Sequence, residues 1–491
     1  MSPERVVVVG GGLAGMAAAL EAADRGAEVV LVERRAHLGG LTWSFERHGL
    51  SFDNGQHVFL RCCTAYLDFL RRLGGDGQVN LQRRLDVPVL SPDGTRSRIA
   101  RSGLPAPLHL ARSLLGYRHL SPADRLRLGR AVLGLRALRL DDPALDRQTF
   151  GSWLARHGQR PVAVERLWDL VTLPTVNVPA GEASLALAAK VFRTGLLDST
   201  DGGDLGWSAV PLSVLHGENG ARALDRAGVE VVLGAAVSSV EPAVSSVEPA
   251  GGLRVTAGDR VLRADAVVAA VPPTVASAVL PPGALADVTG LGTSPIVNVH
   301  LVFDRRVTDL PLAAAVGSPV QFVFDHTAAS GMAPRRGGQC LVVSQSAADG
   351  LVGRRPEELV RTFHQALGAL LPQVGTARLV DGVVTRERSA TFRGIPGTAA
   401  LRPGAPTPVP GVFLAGAWCD TGWPATMEGA VRSGTAAARA ALTSLGAAPT
   451  SLGAVRHHPT GSRAPTGPAR NPARDPARLP PSTPELEEAP A

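Results

Sequence analysis

Gly10, Gly12 and Gly15 follow the all-valine run RVVVV in the spacing G-x-G-x-x-G, and Glu33 closes a second apolar run, EVVLVE, 18 residues beyond Gly15. Glycines at these intervals let the backbone turn tightly and let pyrophosphate oxygens come close to it. A helix starting behind them offers N–H groups and the positive end of its dipole, and an acid at the end of the next strand accepts from ribose hydroxyls. A lone G-x-G-x-x-G is weak evidence. Between two strand-like runs it points to a bound dinucleotide, against the competing reading of a glycine-rich structural turn. Gly39 and Gly40, in RRAHLGGLTWSF, would bring a second stretch of backbone to the same phosphates, with Arg34 or Arg35 as counter-charge.

Asp53, His57, Asp420 and Glu428 are the candidates for moving a proton. Asp53 and His57 stand four apart in DNGQH. Histidine suits an acid because its ordinary pKa lies near working pH, although a lone histidine is as often structural, and Asp53 also reads as a turn residue bonded to its own loop. No metal is expected: Cys62, Cys63, Cys340 and Cys419 form no C-x-x-C pair and have no histidine-rich neighbourhood, so neither a zinc site nor a disulfide framework is suggested.

These groups need elements to hold them. RVVVV, GGGLAG, MAAALEAADRG and EVVLVE read as strand, turn, helix and strand, one βαβ unit of a doubly wound α/β domain. More strand character lies in 229–240 and 263–273, around a tandem repeat, AVSSVEP at 236–242 and 243–249, read as a duplication lengthening a hairpin or its loop. Near the C-terminus, Thr426 can cap a helix whose inward stripe is Met427, Ala430, Val431, Gly434 and Ala438. Residues 95–140 have helical spacing and hold ten arginines against one acid, Asp124. They read either as a solvated face or as a membrane-surface contact. From about residue 446 the chain becomes Pro- and Arg-rich without apolar period, a disordered tail.

The chain of 491 residues has room for two or more cores, and no apolar run approaches the length of a membrane span. A cytoplasmic protein is expected, peripheral at the inner face of the membrane if residues 95–140 touch it. No nucleic-acid partner is expected. The charge of +7 rests on arginine, since Lys190 is the only lysine.

The double-glycine extension at 39–40 resembles the FAD-binding start of the flavoprotein superfamily that contains amine oxidases, phytoene desaturases and protoporphyrinogen oxidase. LSFDNGQHVFL (50–60) and FLAGAWCDTGWPATMEGAVRSG (413–434) resemble the squalene-associated FAD enzymes of hopanoid biosynthesis, the hydroxysqualene dehydroxylases, and LWDLVTLPTVNVPAGEASL (167–185) is similar to their substrate-domain helices. Together these stretches run through most of 5–445. The resemblance implies an amine-oxidase-like architecture: a Rossmann-like FAD domain from 1–90, 211–275 and 391–445, and an inserted α+β substrate domain from 91–210 and 276–390. It implies non-covalent FAD held by Gly10, Gly12, Gly15, Glu33, Gly39 and Gly40, by Val237 (Val244 having an identical context), and by Gly416, Glu428, Gly429 and Ala430, with Glu428 on backbone or ribityl hydroxyls. Asp53 and His57 would lie near the reactive edge of the flavin. Leu41 stands where the superfamily usually has Arg, and Ala417 and Cys419 where the narrower family usually has Asp and Thr.

The implied reaction is reductive removal of an allylic hydroxyl, hydroxysqualene to squalene. The substrate is a lipophilic isoprenoid, and the electron donor is external because no second G-x-G-x-x-G follows. Trp43, Phe45, Trp207, Phe322, Phe324, Trp418 and Trp423 either line an apolar tunnel or belong to the core. Three rivals stand beside this reading. An amine oxidase commonly places a lysine on a substrate-domain strand, but the similar stretch SPIVNVHLVFD (294–304) has none and Lys190 sits elsewhere. A carotenoid desaturase shares fold and lipid substrates. A non-catalytic isoprenoid-binding protein would retain the fold without flavin.

Overall fold

A computed structural model describes residues 3–243, 252–332 and 337–446. Residues 447–491 of the expected tail and most of the second AVSSVEP copy, with Val244, lie outside the described residues.

The valine run that opens the chain forms the middle strand of a five-stranded sheet, in the order Glu230–Leu233, Glu28–Glu33, Arg5–Val9, Ala266–Ala269, Val412–Leu414, with every pairing parallel. Such a sheet is covered on both faces, so its strands are apolar throughout rather than alternating. Val6 and Val8 pack with the helices Leu13–Asp24 and Met427–Ser444, while Val7 and Val9 face the other way, toward a cluster containing Val240 and Val255. Those two belong to an antiparallel meander, Val237–Pro242, Leu253–Ala257, Arg260–Ala264. The two helices pack so closely that a Cβ on Gly434 would fall 2.0 Å from the Ala14 carbonyl oxygen.

A second sheet has seven strands, in the order Leu379–Thr391, Ser294–Phe303, Gln339–Gln345, Phe322–Asp325, Leu312–Ala315, Asp86–Leu90, Arg96–Ala100. Its pairings are antiparallel except for Leu312–Ala315 with Asp86–Leu90. The helix Pro356–Leu370 covers one face through Leu359, Phe363 and Leu367. The chain thus enters this sheet at Asp86, ahead of the boundary expected at 90.

Residues 95–140 are not helical throughout. Arg96–Ala100 is a strand paired with Asp86–Leu90, and the helices are Ala111–Leu115 and Pro122–Ala137. Among the described residues no helix is long and apolar enough to cross a membrane.

Candidate functional site

The turn after the first strand is built as its glycines predict. A Cβ on Gly15 would sit 1.8 Å from the Gly10 carbonyl oxygen, so only glycine lets the helix Leu13–Asp24 start this close beneath the turn. The loop 35–40 closes over it. Gly39 N–H donates to the Gly11 carbonyl (2.9 Å), and Arg35 Nη1 donates to the Gly40 carbonyl (2.9 Å). Gly40 has φ +58°, and its added Cβ would lie 2.9 Å from Gly12 Cα. Two backbones without side chains therefore face each other across the helix N-terminus, the cradle a pyrophosphate requires.

Glu33 is buried, and its carboxylate accepts from Gly11 N–H (2.6 Å) and Arg35 N–H (2.8 Å), fixing it beside the turn. Of the two candidate arginines, Arg34 is exposed and Arg35 is the one turned into the loop. Gly234 N–H donates to Arg35 O and Ala235 N–H to Glu33 O, which brings the start of Val237–Pro242 alongside the acid. Gly416 follows the strand Val412–Leu414, and its N–H donates to Ser433 Oγ (2.9 Å).

Thr426 caps the last helix as its sequence suggests, accepting from Gly429 N–H at 3.2 Å, while Ala430 N–H goes to the Thr426 carbonyl. The predicted inward stripe is partly displaced: Val431, Gly434 and Ala438 are buried, Met427 and Ala430 only half-buried. Glu428 is buried and serves another element. Its oxygens accept from Tyr66 N–H (2.7 Å) and Ala65 N–H (3.3 Å), the open end of the helix Thr64–Leu73, and from Arg432 Nε (2.6 Å). A carboxylate at a helix N-terminus meets both unpaired N–H groups and the helix dipole. The backbone that Glu428 contacts lies 362 residues away in sequence.

Asp53 ends the strand Leu50–Asp53 and is buried. It does not bond its own loop, as a turn residue would. Oδ1 accepts from Ser44 Oγ (2.6 Å) and Leu212 N–H (3.1 Å), and Oδ2 lies 3.7 Å from His326 Nε2. His57 is half-buried, with Nδ1 2.9 Å from the Gly55 carbonyl. With Nδ1–H donating there, Nε2 is left as an acceptor. Burial pushes the His57 pKa below the ordinary histidine value, with smaller opposing effects from the Gly55 carbonyl and Asp53. Burial thus disfavours the protonated imidazole that an acid role would need. Asp420 is a turn residue: its carboxylate accepts from Gly422 N–H (3.0 Å) and its side chain is exposed.

Sequence reasoning missed several buried polar groups. Asn298, on the ten-residue strand Ser294–Phe303, accepts from Gln56 N–H through Oδ1 (3.2 Å), and its buried Nδ2 has no partner among the described residues. Its signal was a polar residue inside an apolar strand. His216 is buried with Nε2 2.8 Å from Tyr66 Oη, its pKa pushed down to about 3 by burial. Arg402 is buried and donates to the carbonyls of Trp418 (3.3 Å) and Cys419 (2.5 Å), bracing the loop that holds Ala417. The Cys419 thiol is pushed up to about 12 by burial and is inert as a nucleophile.

The aromatic candidates are spread over three apolar clusters: Trp207, Phe322, Phe324 and Trp418 in one, Trp423 in a second, Phe45 in a third. Trp43 stacks on His37 at 4.5 Å. Lys190 extends its Nζ over the Trp423 ring at 5.1 Å, away from the strand that carries Asn298.

The family model for flavin containing amine oxidoreductase matches residues 13–442. A hydroxysqualene dehydroxylase from Rhodopseudomonas palustris is 30% identical over 449 residues, covering 88% of this chain and 97% of its own length. A zeta-carotene desaturase from Arabidopsis thaliana is 24% identical, covering 88% of this chain and 84% of its own. Among solved structures, cyclohexylamine oxidase from Brevibacterium oxydans aligns with a TM-score of 0.67 at 21% identity, over 90% of this chain and all of that one. An oxidoreductase from Methanosarcina mazei gives 0.66 at 17%, over 88% of this chain and 98% of that one. At these identities the solved structures establish the fold, an amine-oxidase-like α/β arrangement with a parallel Rossmann-type sheet.

Proposed function

The chain belongs to the flavin-containing amine oxidoreductase family, whose cofactor is FAD, and on that premise we propose that it reduces hydroxysqualene to squalene. As an FAD-dependent oxidoreductase it falls in the branch of carotenoid desaturases and squalene-associated enzymes. The observation that carries the finer reading is the match to the hydroxysqualene dehydroxylase along nearly the whole length of both chains.

The residues present fit FAD. Gly12 and Gly40 pack backbone to backbone beside the N-terminus of the helix Leu13–Asp24, whose unpaired N–H groups would hold a pyrophosphate; Glu33 beside the turn would meet ribose hydroxyls, and Arg35 supplies positive charge. Val237 takes the adenine side, and Gly416, Gly429 and Ala430 the ribityl and ring side. Glu428 acts there through the backbone it holds. When bound, FAD in its two-electron-reduced form, FADH2, would supply both the hydride to the allylic carbon and the proton with which the hydroxyl leaves as water, and would be left as oxidised FAD.

The chain's own contribution begins at the DNGQH loop. Hydrogen bonds from Ser44 and Leu212 hold Asp53, and with it the loop that carries His57. His57 Nε2, neutral and lone-pair bearing, orients the substrate hydroxyl as an acceptor. The unpaired Asn298 Nδ2 beside Gly55 is a second polar group at that loop.

Purified protein given hydroxysqualene and chemically reduced FAD should form squalene and oxidised FAD in equal amounts. A specific observation favours one alternative, the similarity to zeta-carotene desaturases over 88% of this chain. Desaturation of a polyene with no squalene formed would decide for that alternative.

A further inference from the structure

The helix Pro122–Ala137 has two apolar faces, and only one of them is covered. Leu128, Ala131 and Leu135 point inward and are buried. Leu126 and Leu133, at i and i+7 on the opposite side, are 75% and 66% exposed. Arg130 and Ala137, at i+4 and i+11, share that outer face and are also exposed. Two opposed leucine stripes explain why leucine and arginine look unsorted in the sequence of this helix. The segment before it continues the pattern, with Leu104, Leu108 and Leu115 exposed by 51%, 56% and 55%. Leu115 adjoins the helix, since Arg125 Nη1 donates to its carbonyl at 2.9 Å. Among the described residues, five of the nine large exposed apolar side chains thus fall between residues 104 and 133.

Within residues 95–140 the exposed charge has one sign. Asp124, the only acid of 95–140, is buried, with Arg160 Nε at 2.6 Å and Arg127 Nη1 at 3.2 Å. The segment's ion pairs engage Arg98, Arg101, Arg127 and Arg139. Arg112, Arg118, Arg130 and Arg136 are exposed and have no carboxylate partner among the described residues. A soluble protein partner complementary to this face would need an acidic rim around an apolar centre. A bilayer containing anionic lipid offers both at once, headgroup charge over hydrocarbon, and accepts any spacing of the guanidinium groups.

We propose that residues 104–137 form a membrane-docking surface, with Leu104, Leu108, Leu115, Leu126 and Leu133 entering the acyl boundary of an anionic bilayer and the four free arginines meeting its headgroups. The surface gives the protein access to substrates dissolved in the bilayer. The proposal does not depend on which isoprenoid is transformed.

The test is sedimentation of the full-length, FAD-loaded protein with vesicles of phosphatidylcholine and phosphatidylglycerol in equal parts, at low salt. Wild type should pellet with these vesicles and remain in solution with pure phosphatidylcholine. The variant R112E/R118E/R130E/R136E should partition several hundred-fold less, from about five-fold for each arginine. Leu126→Ser with Leu133→Ser should lower partitioning by roughly ten-fold. Both variants should keep wild-type melting temperature and FAD content, because every substituted side chain is exposed. Wild type that ignores the vesicles overturns the proposal and returns this face to a protein partner, and arginine variants that bind as wild type does overturn it equally. Turnover of detergent-dispersed hydroxysqualene, measured alongside, reports on the substrate separately.

Discussion

Replacing Gly40 by alanine tests whether the close contact of Gly40 with Gly12 shapes the cofactor's cradle, and Gly49→Ala is its internal control. Both glycines lie in the left-handed region, at φ +58° and +71°. An alanine at either position carries the same backbone strain, roughly 1–2 kcal/mol. They differ in what the new methyl meets: Gly12 Cα at 2.9 Å for Gly40, nothing within 4 Å for Gly49. Carbon atoms rest about 3.5–4.0 Å apart, so the 35–40 loop must retreat by roughly 0.6–1 Å, which displaces it from the helix N-terminus where the phosphates would bind. FAD binding to the apoprotein, followed by flavin fluorescence quenching, should weaken at least about tenfold in Gly40→Ala, or roughly 1.4 kcal/mol. In Gly49→Ala it should be unchanged, while urea denaturation of the two apoproteins should show the shared backbone strain in both and a further loss in Gly40→Ala from the contact with Gly12. A Gly40→Ala protein that binds FAD as tightly as wild type would refute the assignment, and so would equal weakening in both.

Three further outcomes follow from the buried polar groups and the helix contact. His216 and His300 are each driven down to about 3 by burial, so below the ordinary histidine value of 6.5 the unfolded chain takes up two protons that the folded chain refuses. Their contribution is intact above about pH 6.5 and is lost as pH falls, approaching about 2.7 kcal/mol per pH unit below about pH 5.5 for the pair; urea denaturation between about pH 7 and pH 5 should show the decline, and His216→Asn should remove half of it. Glu428→Gln leaves Arg432 and two helix N–H groups facing an amide, and should cost about 2–3 kcal/mol in urea denaturation. Loss of FAD without that loss of stability would mean Glu428 contacts the cofactor instead. Gly434→Ala forces apart the helices Leu13–Asp24 and Met427–Ser444, and a drop of about 2–3 kcal/mol in thermal or urea stability checks it.

The glycine turn, Glu33 and the Thr426 cap were legible because each depends on neighbours a few residues away, where spacing alone determines geometry. The βαβ unit follows from the same local rules, since an all-valine strand buried on both faces needs nothing further along the chain to identify it. The DNGQH region was legible as a motif but not as a mechanism. The partners of Asp53 are Ser44, Leu212 and His326, and burial of His57 lowers its pKa and disfavours the protonated form an acid would need. Arg34 and Arg35 are equivalent in sequence, and only the path of the 35–40 loop turns one inward. The two leucine stripes of Pro122–Ala137 have the same periodicity in sequence, and the fold alone decides which is covered. By itself the sequence determined the dinucleotide turn, the strands and helix beside it, and the one-sided charge of residues 95–140, all short-range patterns. Tertiary structure decided the partner of Glu428, the lowered pKa of His57 and the outward face of the arginine-rich helix, because desolvation and long-range hydrogen bonds exist only once distant segments are packed together.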